Sequence, residues 1–269
     1  MGFASSPATD PTPIHVNDAK AAAAACNRFG FDLYAKAKVR DENVILSPLS
    51  AAAALAMTAA GARGETLAQM AHVLHVDGLA DAHRDFAYLQ VSLAGHGEEQ
   101  PGQLPELAIA NRIWGQKGLS YRADFLALLR DQYGASLGQL DFEHAQETAR
   151  VEINEWVKEQ TRGRIPDLLE PGMVDALTTR LVLTNAVYFK GKWQSPFPNI
   201  ETREQDFRTP KGMAGARMMR QLGYFAHAHL DDVQLVELPY VGGRLSMIVI
   251  LPDSANGLSD AEGRIGRSY

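Results

Sequence analysis

The stretch that most restricts the fold is Ser47-Pro-Leu-Ser-Ala-Ala-Ala-Ala-Leu-Ala-Met-Thr-Ala-Ala-Gly61. It opens with a residue able to cap free helical amides. Proline follows at the first helical position, where a missing N–H costs nothing. Nearly everything after that is alanine, leucine or methionine, until Gly61 offers a C-terminal stop. A helix with almost no polar face has no stable solvated side and must be buried, which makes it the central helix of its domain. With 269 residues and 46% hydrophobic content, the chain has enough material to surround it. Asn43 to Leu46 reads as a short apolar strand running into this helix.

The second constraint is Leu181-Val-Leu-Thr-Asn-Ala-Val-Tyr-Phe189, apolar on both faces apart from Thr184 and Asn185. Such a strand is expected in the middle of a sheet covered on both sides. Ala22, Cys26, Phe29 and Leu33 fall on one helical face, and Leu67, Met70, Ala71 and Leu74 on another that Thr66 would cap. Asp81 to Leu93 is a third helix, and Gly95 to Pro105 a loop. Leu107 to Trp114 alternates as a strand. Ile153, Trp156 and Val157 mark an amphipathic helix ending near Arg162-Gly163. From about residue 200 strands and turns take over, with Val233–Tyr240 and Arg244–Leu251 flanking Gly242-Gly243 as a hairpin. Helices first and strands later give an α+β domain.

Several function classes drop out. The formal net charge of −6 does not suit a surface that must displace counterions from phosphates. Cys26 is the only cysteine, so no disulfide can form within these residues. Residues 1–18 read as a disordered polar leader without the basic and apolar regions of an export signal. The alanines at 21–25 are too few to span a bilayer. No nucleophile elbow, phosphate loop or zinc-protease helix is present. His72 and His75 lie at i, i+3, and His227 and His229 share a strand face. Two histidines without a third ligand more often mark a wet surface than a metal site, so no metal or cofactor is expected.

Several of these segments together resemble the serpins, a family of protease inhibitors. Asn43 to Thr66 is similar to the serpin segment that builds the buried B helix. Ile153 to Leu168 is similar to the helix lying across sheet A, and Leu183 to Trp193 to the third strand of that sheet with its exit. Phe207, Met218-Met219 and Leu238-Pro-Tyr240 fall where serpins place comparable residues. The resemblance runs from about Ala22 to Asp253. It implies a serpin fold of N-terminal helices packed on sheets A, B and C. It also implies suicide inhibition of a serine or cysteine protease, in which a cleaved reactive loop inserts into sheet A as an extra strand. A non-inhibitory serpin-fold protein or an inactive fragment is the alternative.

By the same resemblance, Ser47, Ser50 and Asn185 belong to the shutter, a polar cluster beneath the opening strands, and Trp193 to the breach where insertion begins. Ser47 also reads as a plain helix cap, and Trp193 as ordinary core packing. Asp81, His83, Arg84 and Asp85 do not make the basic face of glycosaminoglycan-activated serpins, so no heparin site is expected. Residues 19–254 form the partial serpin domain, and 255–269 an ending that diverges from the family. The hinge and reactive loop should follow Asp253 and are not found in this chain, so no reactive bond is assigned. The chain alone is expected not to inhibit and to self-associate through a long apolar strand edge. Family members are mostly extracellular, although the lack of an export signal leaves an intracellular site open. No enzyme activity, nucleic-acid binding or membrane insertion is expected.

Overall fold

Ser47 and Pro48 start the buried helix where the sequence places it. In the computed structural model, which describes residues 16–39, 42–76, 78–94, 104–209 and 211–265, this helix is α2 (Pro48–Ala59). The Ser47 side chain accepts from the Ser50 amide at 3.4 Å. Ala52, Ala53, Ala56 and Met57 have no exposed surface at all, as the missing polar face demands. The stop differs from expectation. Ala60 ends the helix in a right-handed conformation, and Gly61 has no positive φ. Gly61 instead sits against Phe125, 3.5 Å from where a Cβ would stand.

Around α2 lie α1 (Val16–Ala37), α3 (Gly64–Val73), α4 (Leu79–Ala94) and α5 (Ala123–Tyr133). Together with one face of a sheet they enclose a core built on Phe29, Met57, Leu74, Phe86, Ile113 and Leu129. α1 begins inside the expected leader, whose residues 1–15 lie outside the described residues, as does most of the expected loop from Gly95 to Pro105. Thr66 does not cap α3: the capping position falls three residues earlier, at Arg63, whose side chain makes no capping bond. Asn43 to Leu46 forms no strand.

The sheet beside α2 has the order β2-β1-β3, from β1 (Glu106–Gln116), β2 (Ser136–Leu140) and β3 (Leu181–Lys190). β1 runs parallel to β2 and antiparallel to β3, with Asn111 opposite Asn185. Period-two alternation divides the side chains. Ile113, Leu181 and Leu183 face the α2 core, while Trp114 and Val182 face α6 (Gln146–Gln160) on the other side. Trp114 donates through its indole N–H to Thr184 Oγ1 at 3.0 Å and meets Trp156 of α6 edge to face at 5.8 Å. β3 is thus covered on both faces, as its composition requires. Its place is not central: among the described residues it ends the sheet, and one of its edges has no neighbouring strand. Apolar patterning reports which faces are covered and is silent on lateral neighbours.

Further along lie a short 3-10 turn at Asn199–Glu201, the hairpin of β4 (Arg203–Thr209) and β5 (Gly212–Met218), and a second sheet of β6 (His227–Leu230), β7 (Val233–Pro239) and β8 (Ser246–Pro252). Gly242 and Gly243 turn β7 into β8 with φ of 90° and 64°, values that only glycine reaches cheaply. α7 (Leu258–Ile265) follows, within the segment expected to diverge. Tyr34 of α1 donates to Glu262 Oε1 at 2.5 Å, and Lys38 donates to Oε2 at 2.8 Å, seating α7 against α1. Among the described residues no helix is long and apolar enough to cross a membrane.

Candidate functional site

A hydrogen-bonded line of mostly half-buried polar side chains runs where α2, β1, β3 and α4 meet. Ser50, in the first turn of α2, donates its hydroxyl to Asn185 Oδ1. Asn185 donates from Nδ2 to Asn111 Oδ1 at 2.6 Å across the β1–β3 ladder. Asn111 in turn donates from Nδ2 to Gln90 Oε1 and to the Tyr133 carbonyl, both at 3.0 Å. Each amide both gives and receives, so no member is stranded in a setting where an unmet polar group would be costly.

The backbone explains why these residues meet. Ser50 lies at the start of α2, the end that Ser47 and Pro48 fix, and α2 packs on β3. Asn111 and Asn185 occupy the same register on neighbouring strands and point to the α2 side, like Ile113 and Leu183. The line links a helix to both strands of an antiparallel pair, close to the edge of β3 that has no partner strand among the described residues. Sliding or parting β1, β3 and α2 would break it.

Of the four residues singled out in the sequence, Ser50 and Asn185 touch directly. Ser47 acts on its own helix and reaches Asn185 only through Ser50. Trp193 lies elsewhere, stacked on Tyr240 with centroids 4.5 Å apart and planes 13° from parallel, and bridged to it through the backbone. Phe189 and Phe197 meet this pair edge to face. Gly191 permits the packing, because a Cβ there would stand 2.5 Å from the Tyr240 ring. The cluster ties the exit of β3 to the end of β7.

Sequence reasoning missed Asn111, Gln90 and Tyr133. A signal existed for Asn111, the polar member of an inward-facing set that includes Ile113. The histidine pairs make ordinary surface contacts: His75 with Asp32 and His229 with Asp253, each at 2.7 Å. Among the described residues no three metal-ligating side chains gather. Cys26 is buried, and its thiol is pushed up to about 11 by desolvation, which makes it a poor nucleophile.

Known proteins share this fold and much of this sequence. Residues 24–268 match the family model described as Serpin (serine protease inhibitor). A leukocyte elastase inhibitor from Equus caballus is 44% identical over 230 residues, covering 84% of this chain and 59% of the relative. Emu ovalbumin superposes with a TM-score of 0.82 at 32% identity, over 90% of this chain and 66% of that one. An Arabidopsis serpin in its native stressed conformation gives 0.83 at 28% identity, over 95% and 66%. The chain therefore spans roughly three-fifths to two-thirds of the proteins it matches.

Proposed function

Because this chain belongs to the serpin family, we propose that it is the body of a serine-protease inhibitor, acting as a conformational trap and not as an enzyme. The reading is carried by the Ser50–Asn185–Asn111 line. Polar groups fastened across an otherwise apolar joint give β1, β3 and α2 one well-defined closed arrangement. The β3 edge beside it, which has no partner strand among the described residues, offers main-chain groups to an incoming strand, which gains a ladder of hydrogen bonds on insertion. A protease caught as an acyl-enzyme on that strand would be carried along and distorted.

In this reading Ser50 and Asn185 form the shutter with Asn111, and Ser47 supports them by fixing the first turn of α2. Trp193, stacked on Tyr240 at the exit of β3, is the breach. The relatives named leukocyte elastase inhibitors support a serine protease as the target class. On α4, Arg84 pairs with Asp81 and Asp85 at 3.4 Å, so its charge is met locally, which supports the absence of a heparin site. Cys26 is the only cysteine of these 269 residues, so no disulfide forms among them, which is compatible with either an intracellular or an extracellular site.

The reactive loop and hinge are assigned to sequence outside residues 1–269. The purified chain, mixed with trypsin-, chymotrypsin- and elastase-like proteases, is therefore expected to give no SDS-resistant adduct on a denaturing gel. An adduct with the chain alone would refute this assignment.

A further inference from the structure

His83 stands on α4, and the sequence groups it with charged surface residues, yet it is only 5% exposed. Its Nδ1 lies 2.8 Å from the Tyr133 hydroxyl, and the two rings meet edge to face at 5.8 Å. Tyr133 is itself 6% exposed, and its carbonyl is one of the two acceptors that hold Asn111 Nδ2. Asn111 in turn holds Asn185. A continuous path runs from an ionisable ring in the helical layer to the asparagine between the strands.

We propose that His83 is a positioning residue for Asn185, so that neutral His83 keeps Tyr133, Asn111 and Asn185 in their closed arrangement and its protonation releases them. The inference rests on the reading of Asn185 as part of the shutter. It adds a control by pH that acts through α4 and α5.

The chemistry follows from burial. Desolvation lowers the His83 pKa and raises that of Tyr133, so near neutral pH both groups are uncharged, and we assign the contact to the tautomer in which the phenol donates to Nδ1. A proton on Nδ1 turns that acceptor into a donor, so the phenol must swing its own proton away, and it places a charge at a site only 5% exposed. Among the described residues, the hydrogen bond that the His83 ring makes is to a neutral phenol and not to a carboxylate. On α4 itself, Asp81 and Arg84 are exposed and Asp85 contacts Arg84. On α5, Arg130 pairs with Asp131 in solvent. On α1, Lys20, Arg28, Asp32 and Lys36 are exposed and Cys26 is uncharged. α2 carries no ionisable side chain, and the Glu106 carboxylate of β1 pairs with Arg162.

The sign is fixed by linkage. A histidine held below its unfolded value contributes nothing against the closed state above pH of roughly 6.5. It destabilises that state progressively as pH falls through and below that value. An opening that returns His83 to water is therefore favoured by acid.

The test is amide hydrogen exchange of the 269-residue chain at pH 7.5 and 5.5, corrected for the intrinsic pH dependence, in peptides covering β1 and β3. Opening is expected to rise about fivefold or more on acidification. His83→Gln and His83→Leu should each flatten that profile, because neither side chain titrates. His83→Leu keeps the site apolar, so it carries the test if His83→Gln fails to fold. A wild-type profile with no pH dependence, or one unchanged in the variants, overturns the role of His83. Neither outcome touches the inhibitor reading, which protease adducts decide separately.

Discussion

Asn111 and Asn185 face each other across the β1–β3 ladder with their side-chain amides bonded at 2.6 Å, and Ser50 of α2 completes the contact from below. Two half-buried asparagines in register on an otherwise apolar inward face would be costly without partners. They persist because each satisfies the other.

Asn185→Ala removes the acceptor of Ser50 and the donor to Asn111 together. Leaving such groups unmet costs about 1–3 kcal/mol. The apparent melting midpoint should fall by roughly 3–10 °C. Calorimetry at fixed protein concentration checks this. A midpoint unchanged within a degree would show that the line is not a structural joint.

The packing of α2 gives an independent prediction. Ala56 has no exposed surface, so Ala56→Leu must displace neighbours and should cost about 1–3 kcal/mol. Thr58, exposed on the same helix, should tolerate alanine within about 0.5 kcal/mol. Urea midpoints of the two variants compare them directly. Equal tolerance at both positions would contradict the buried setting of α2.

The outer strand β8 carries Ile248 and Leu251 at 52% and 59% exposure, and Phe189 on β3 is 42% exposed. Exposed apolar side chains on outer strands invite pairing between molecules. Sedimentation velocity should show mass rising with concentration, and Ile248→Lys should reduce the effect. A monomer at every concentration, melting cooperatively, would contradict this.

The sequence displayed α2 and the covered faces of β3 because those features are written in local pattern: a cap, a proline, an unbroken apolar run. Ser50 and Asn185 were singled out by the serpin resemblance, with the added hint that an amide inside an apolar strand calls for a partner, and the two touch in the structure. The partner itself was hidden. Asn111 lies 74 positions away, and only the antiparallel register brings it opposite. α5 and β2 left weak local signals, and α7 carries few apolar residues. The burial of His83 was invisible because charged neighbours on α4 gave it the look of a surface residue. That β3 has a strand on only one side among the described residues follows from which strands pair, which no strand records in its own composition.

The most direct test joins this chain to the remaining C-terminal part of the 44%-identical horse leukocyte elastase inhibitor and mixes the folded chimera with an elastase-like serine protease. The account predicts an SDS-resistant covalent adduct for the chimera, weakened by disrupting Asn185. A folded chimera that elastase simply cleaves and releases, with no adduct at any ratio, would contradict it.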